Sequence, residues 1–169
     1  DASGKKGGGE VYLGGGLHGS LNGLDRLTDV IDISAGTVIN ADALKNGNGG
    51  TIVIWGSEHS GYYGTATARG GASNGNGGLV EVSAGAGVIF DGRVDTTAAK
   101  GRVGQLLIDP ASVSIGNGAQ TADGTYLNAQ TIANNLVYTS ILIQADNNID
   151  IVEDVNIAMS DFGAPAFDL

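Results

Sequence analysis

The chain has no cysteine, two prolines, one tryptophan and 5% aromatic residues in a length of 169. Without cysteine there is no disulfide scaffold, so a secreted chain of this kind must draw its stability from repetition. Basic residues are scarce: 8 Lys and Arg stand against 18 Asp and Glu, the formal net charge is -10, and no Lys or Arg follows Arg102. So acidic a chain has no electrostatic footprint for nucleic acid, which is therefore not an expected partner. No transmembrane run, signal peptide or lipid-anchor motif occurs, as expected also of a mature or excised internal segment. Helical periodicity is nearly absent. The best helical candidate runs from Leu127 to Leu136, with Thr131 able to cap a short turn, and strand-like Val137-Tyr138 and Ile141-Leu142-Ile143 follow it.

What the chain does have is glycine, 30 residues of it, with 41% hydrophobic residues and no collagen-like triplet. That composition suits an extended, turn-rich chain around a narrow core. The glycines recur in register. Gly47-Asn48-Gly49-Gly50 returns as Gly75-Asn76-Gly77-Gly78, a step of 28 residues, and Gly36, Gly64 and Gly92 fall on the same step. Self-similarity of this length indicates a stacked repeat.

Each glycine phrase leads into a strand-like run, and the runs superpose: Glu10-Val11-Tyr12-Leu13, Thr51-Ile52-Val53-Ile54, Leu79-Val80-Glu81-Val82 and Gln105-Leu106-Leu107-Ile108. Second and fourth positions are always Val, Ile or Leu, whereas the first and third vary as an outward face would. Val11, Ile52, Val80 and Leu106 are therefore expected to form one interior ladder, and Leu13, Ile54, Val82 and Ile108 a second. The first step is longer, from Gly9 to Gly50, which places an excursion at residues 14–27.

A β-sandwich needs no fixed period, and a propeller blade needs about 40–45 residues. The 28-residue step instead predicts an all-β fold, a parallel β-helix of about six rungs at ~4.8 Å each, roughly 29 Å long. The whole of 1–169 reads as a single segment, best defined over 47–110. With no polar cap visible at either end, it is expected to be a piece of a longer fibre.

The runs Gly49-Gly50-Thr51-Ile52-Val53-Ile54-Trp55, Tyr63-Gly64-Thr65-Ala66-Thr67-Ala68-Arg69-Gly70-Gly71, Gly75-Asn76-Gly77-Gly78-Leu79-Val80-Glu81-Val82-Ser83 and Gly104-Gln105-Leu106-Leu107-Ile108-Asp109-Pro110 resemble the filamentous-haemagglutinin-type large exoproteins. These are adhesins and toxin-carrying stalks exported by two-partner secretion. The resemblance implies a right-handed parallel β-helix, secreted or at the bacterial cell surface, whose neighbours are other segments of its own chain or like subunits. It also implies passage through an outer-membrane transporter during export. The family's amino-terminal secretion domain, which carries the export signal, does not match these residues.

Several residues invite sharper readings. Asp91, Asp95 and Asp109, or Asp146, Asp150 and Asp154, offer oxygen ligands, but neither set matches an EF-hand loop or a calcium-binding nonapeptide, so no metal is expected. Polysaccharide-cleaving chemistry needs clustered acids, or calcium with a base. Asp91 and Asp95 flank a single Arg93, and His18 and His59 have no nucleophile motif around them, so no enzyme activity, catalytic residue or cofactor is expected. Aromatic rings carry the remaining binding candidate: Trp55, Tyr62 and Tyr63 could stack on a host or bacterial glycan. The other reading of the same residues puts Trp55 over a meeting of two strands and Tyr62 inside, beside Phe90 one period later.

Overall fold

The computed structural model describes residues 1–153 and residue 155. In chain order the strands are β1 (Glu10–Leu13), β2 (Val30–Ile33), β3 (Val38–Asn40), β4 (Thr51–Gly56), β5 (His59–Tyr62), β6 (Thr65–Thr67), β7 (Leu79–Ala84), β8 (Gly87–Phe90), β9 (Arg93–Asp95), β10 (Gln105–Asp109), β11 (Val113–Gly116) and β12 (Tyr126–Asn128). Helix α1 (Ala129–Leu136) follows, then β13 (Ser140–Ile143) and β14 (Ile149–Ile151). The fold is predominantly β, and every pairing between these strands is parallel.

Five strands form the largest sheet, in the order β1-β4-β7-β10-β13. Its register is the one the glycine phrases set: Val11 pairs with Ile52, Ile52 with Val80, and Val80 with Leu106. Ile141 extends that ladder, and Ile143 extends the one through Leu13, Ile54, Val82 and Ile108. Two further sheets, β2-β5-β8 and β3-β6-β9, advance with it. All three sheets contribute to one apolar core, in which Ile52, Val80 and Leu106 meet Val88 and Phe90 of β8 and Ala66 and Val94 of the third sheet. Burying each such aliphatic side chain contributes about 1.5–3 kcal/mol.

The glycine phrases lock the layers at their turns. Asn76 N–H donates to the Asn48 Oδ1 atom, 28 residues earlier, at 2.9 Å, and Arg102 N–H donates to Asn76 Oδ1 at the same distance. Gly50, Gly78 and Gly104 each donate to the carbonyl at the end of the preceding strand segment, on Ala41, Ala68 and Thr96. Gly75 holds φ +127°, and a side chain there would collide with the Gly47 carbonyl, so the phrase requires glycine for both conformation and approach.

Two expectations are corrected. First, three of the four third positions are not solvated: Val53, Glu81 and Leu107 are buried, and only Tyr12 stays partly exposed. The excursion from Gly14 turns back across the sheet, and its tight turn at Leu17–Gly19 packs on β4 and β7. Second, α1 is capped by Asn128, whose Oδ1 accepts from Gln130 N–H at 2.8 Å and Thr131 N–H at 3.1 Å; Thr131 lies inside the helix. The excursion at 14–27 also has a counterpart later in the chain. β12 returns beside β11 in a separate sheet ordered β12-β11-β14, so residues 117–125 interrupt the repeat.

Two amide side chains finish the strands left without a full-length neighbour. Gln120 takes both main-chain groups of Phe90 on β8, accepting from its N–H at 2.9 Å and donating to its carbonyl. Asn135 of α1 accepts from Val94 N–H on β9 at 2.8 Å and donates to the Gly92 carbonyl at 3.1 Å. Each amide presents the donor and acceptor that a next strand would have supplied.

Candidate functional site

The three aromatic candidates do not assemble into one platform. Trp55 lies on the outer face of the large sheet, but the excursion covers part of it: a Cβ on Gly19 would fall into its indole ring, and Gly15 sits over the same side chain. Tyr62 is fully buried. Its ring stacks on Phe90 with centroids 5.6 Å apart and planes 17° from parallel, and its hydroxyl donates to the Arg93 carbonyl at 3.0 Å. Burial pushes its phenol well above the ordinary range. Tyr62 therefore has no face to offer a ligand. Tyr63, the adjacent residue, is 37% exposed.

Beneath the excursion lies a polar group that periodicity alone hides. Glu81 is completely buried, and its two carboxylate oxygens accept from the His18 N–H at 3.1 and 3.3 Å. Burial raises its pKa above the usual glutamate range. The His18 imidazole Nδ1 lies 3.5 Å from Asp109 Oδ2. His18 itself holds a left-handed conformation, φ 51° and ψ 38°, a conformation in which non-glycine residues are uncommon. The group thus fastens the excursion to the sheet, and Glu81 has no access to water or substrate.

An open groove lies elsewhere, where the turns after β5 and β8 meet α1. A cavity of about 600 Å³ is lined by Tyr63, Ile89, Asp91, Gln120, Asn128 and Thr131, among others. An adjoining cavity of about 300 Å³ shares Tyr63, Asp91 and Thr131 and extends to Asn134. Thr131 Oγ1 donates to Asp91 Oδ1 at 3.2 Å, which fixes the carboxylate at the junction of the two. The nearby Arg93 guanidinium is drawn over the Tyr138 ring, 3.9 Å from its centroid.

The aspartates do not converge. Asp95 Oδ1 accepts from Thr97 N–H and Thr97 Oγ1, Asp109 faces His18, and Asp150 accepts from Asn148. Asp154 lies outside the described residues. Among the described residues no group of three or more His, Asp or Glu side chains is placed to hold a metal ion, and no helix is long and apolar enough to cross a membrane. No protein-family model and no curated protein sequence matches this chain.

Proposed function

We propose that this chain is a stiff, acidic segment of a secreted bacterial surface fibre, wound as a right-handed parallel β-helix of the filamentous-haemagglutinin type. Its work is mechanical: it holds an adhesive or effector end away from the cell, or builds a filament, and carries out no reaction. The observation that supports this best is the in-register parallel stacking of five strands with unbroken aliphatic ladders, accompanied by two further parallel sheets around one core. Such an arrangement repeats one pattern of backbone hydrogen bonds along a single direction, which gives length and stiffness from few residue types. The net charge of -10 keeps such a surface from adhering to anionic polymers.

The partners in this reading are neighbouring segments of the same chain or like subunits, with an outer-membrane transporter during export. The test is the mass of the native protein released from the bacterial surface, measured by denaturing electrophoresis with peptide mapping. Peptides of this sequence in a chain many times longer than 169 residues support the reading. A native chain of 16.9 kDa confined to the cytoplasm overturns it.

A further inference from the structure

We infer that the groove shared by Tyr63, Asp91 and Thr131 is a binding site for a neutral saccharide chain. This goes beyond the mechanical role, which stands whether or not the groove is filled. Three features of the groove define the ligand.

The first is a ring beside an acceptor. Tyr63 is the exposed aromatic residue of the groove, and among the described residues its hydroxyl has no hydrogen-bond partner. Asp91 has one oxygen held by Thr131 and the second without a partner among the described residues. A sugar ring presents an apolar C–H face next to vicinal hydroxyls, and those two surfaces match a flat ring beside a fixed carboxylate. Charge-assisted acceptance of hydroxyl protons by a carboxylate is among the stronger neutral-ligand contacts.

The second feature is that, among the described residues, little in the groove favours an anion. The first N–H groups of α1 would attract phosphate, sulfate or a uronate, but Asn128 Oδ1 already occupies those of Gln130 and Thr131. Arg93, the cation on the wall of the smaller cavity, lies over the Tyr138 ring, a contact that leaves its charge in place, and the Asp91 carboxylate in the same lining opposes that charge. Asp91 itself repels negative charge. The third is shape. The two cavities, of about 600 and 300 Å³, lie side by side with Tyr63, Asp91 and Thr131 in both linings, so together they suit an extended chain of more than one ring rather than a single small molecule.

The experiment titrates the protein by calorimetry with four neutral hexaoses, of cellulose, mannan, amylose and chitin type, and with a heparin hexasaccharide. Binding to at least one neutral hexaose, with no binding to heparin, is the expected result. Tyr63→Ala and Asp91→Asn are each expected to weaken that binding about tenfold. Tyr63→Phe keeps the ring, preserves the fold and retains most of the affinity; Trp55→Ala, at a residue that lines neither cavity, leaves the affinity unchanged. Failure of every neutral hexaose to bind, preference for heparin, or binding that survives Tyr63→Ala and Asp91→Asn together overturns the inference. None of those outcomes bears on the mass of the native chain, so the fibre reading is tested separately.

Discussion

Asn135 of α1 accepts the main-chain N–H of Val94 at 2.8 Å, and both residues are buried. The β3-β6-β9 sheet ends at β9, where another strand would otherwise continue the ladder. One helix and one amide therefore replace a strand, which keeps an edge from exposing unpaired N–H and C=O groups. Asn135→Ala leaves the Val94 N–H buried without a partner. The expected loss is about 1–3 kcal/mol of unfolding free energy, read from urea denaturation at neutral pH. Asn135→Asp keeps an acceptor for Val94 but removes the donor to Gly92 and buries a charge, so it is expected to be at least as damaging at neutral pH and to recover as the pH falls.

Period-2 alternation and the glycine step made the register of the large sheet legible, down to which residues pair, because each one-residue slip would turn every aliphatic side chain outward. The same logic separates Tyr62 from Tyr63. Adjacent residues of a strand face opposite ways, and Phe90, paired with Tyr62 in β8, marks which of the two is interior. Burial of Val53, Glu81 and Leu107 was not legible. For Val53 and Glu81, on β4 and β7, it depends on the excursion crossing back over the sheet; the left-handed residues His18 and Asn22, each followed by glycine, mark where that path bends but not which way it then runs. The return of β12 beside β11 was equally silent, since it follows a break in the repeat rather than the repeat itself.

Glu81 gives the excursion a pH dependence of definite sign. Its folded-state pKa is raised by burial, so its contribution to stability is fully present below the unfolded value and is lost as the pH rises through the folded one. Glu81→Gln removes the buried charge while keeping an oxygen for the His18 N–H. The variant is expected to be more stable than the parent at neutral pH, by about 1 kcal/mol, with the difference vanishing toward pH 4. Thermal melts at a series of pH values check this. A variant less stable than the parent at neutral pH would show that the carboxylate charge is favoured at that position.

Trp55 supports the same excursion from the other side. Gly19 approaches its indole so closely that a Cβ would overlap the ring, and Gly15 packs against the same side chain. Trp55→Ala removes that support without touching the inward ladders of β4, so local opening is expected to outrun global loss. Amide exchange at His18 is expected to rise about tenfold or more, with a fall in overall stability of about 2 kcal/mol. Hydrogen-exchange mass spectrometry over residues 14–27 reads the first, and denaturant unfolding reads the second. Unchanged exchange in that segment would mean that the Glu81 contact alone holds the excursion down.

Asp42 and Arg69 join consecutive layers at another turn. Asp42 is 5% exposed, and its carboxylate accepts from Arg69 Nε at 3.1 Å, Nη2 at 2.6 Å and the Arg69 N–H at 2.7 Å. Burial alone would raise the Asp42 pKa, but the hydrogen bonds and charge of Arg69, with a further bond from Thr67, outweigh it and leave it lowered. The stability it contributes is therefore present above the unfolded aspartate value and is lost as the pH falls through the folded one. Arg69→Met removes the charge and two of the three donors, and leaves a nearly buried carboxylate facing an apolar side chain. The expected loss is about 1–3 kcal/mol at neutral pH, held to the lower part of the range for buried pairs because the Arg69 side chain is half exposed. Near pH 3, where protonation relieves the stranded carboxylate in the variant, the gap between variant and parent is expected to narrow. Urea unfolding at both pH values measures it, and an equal loss at pH 3 and pH 7 would assign the effect to packing of the arginine stem rather than to its charge.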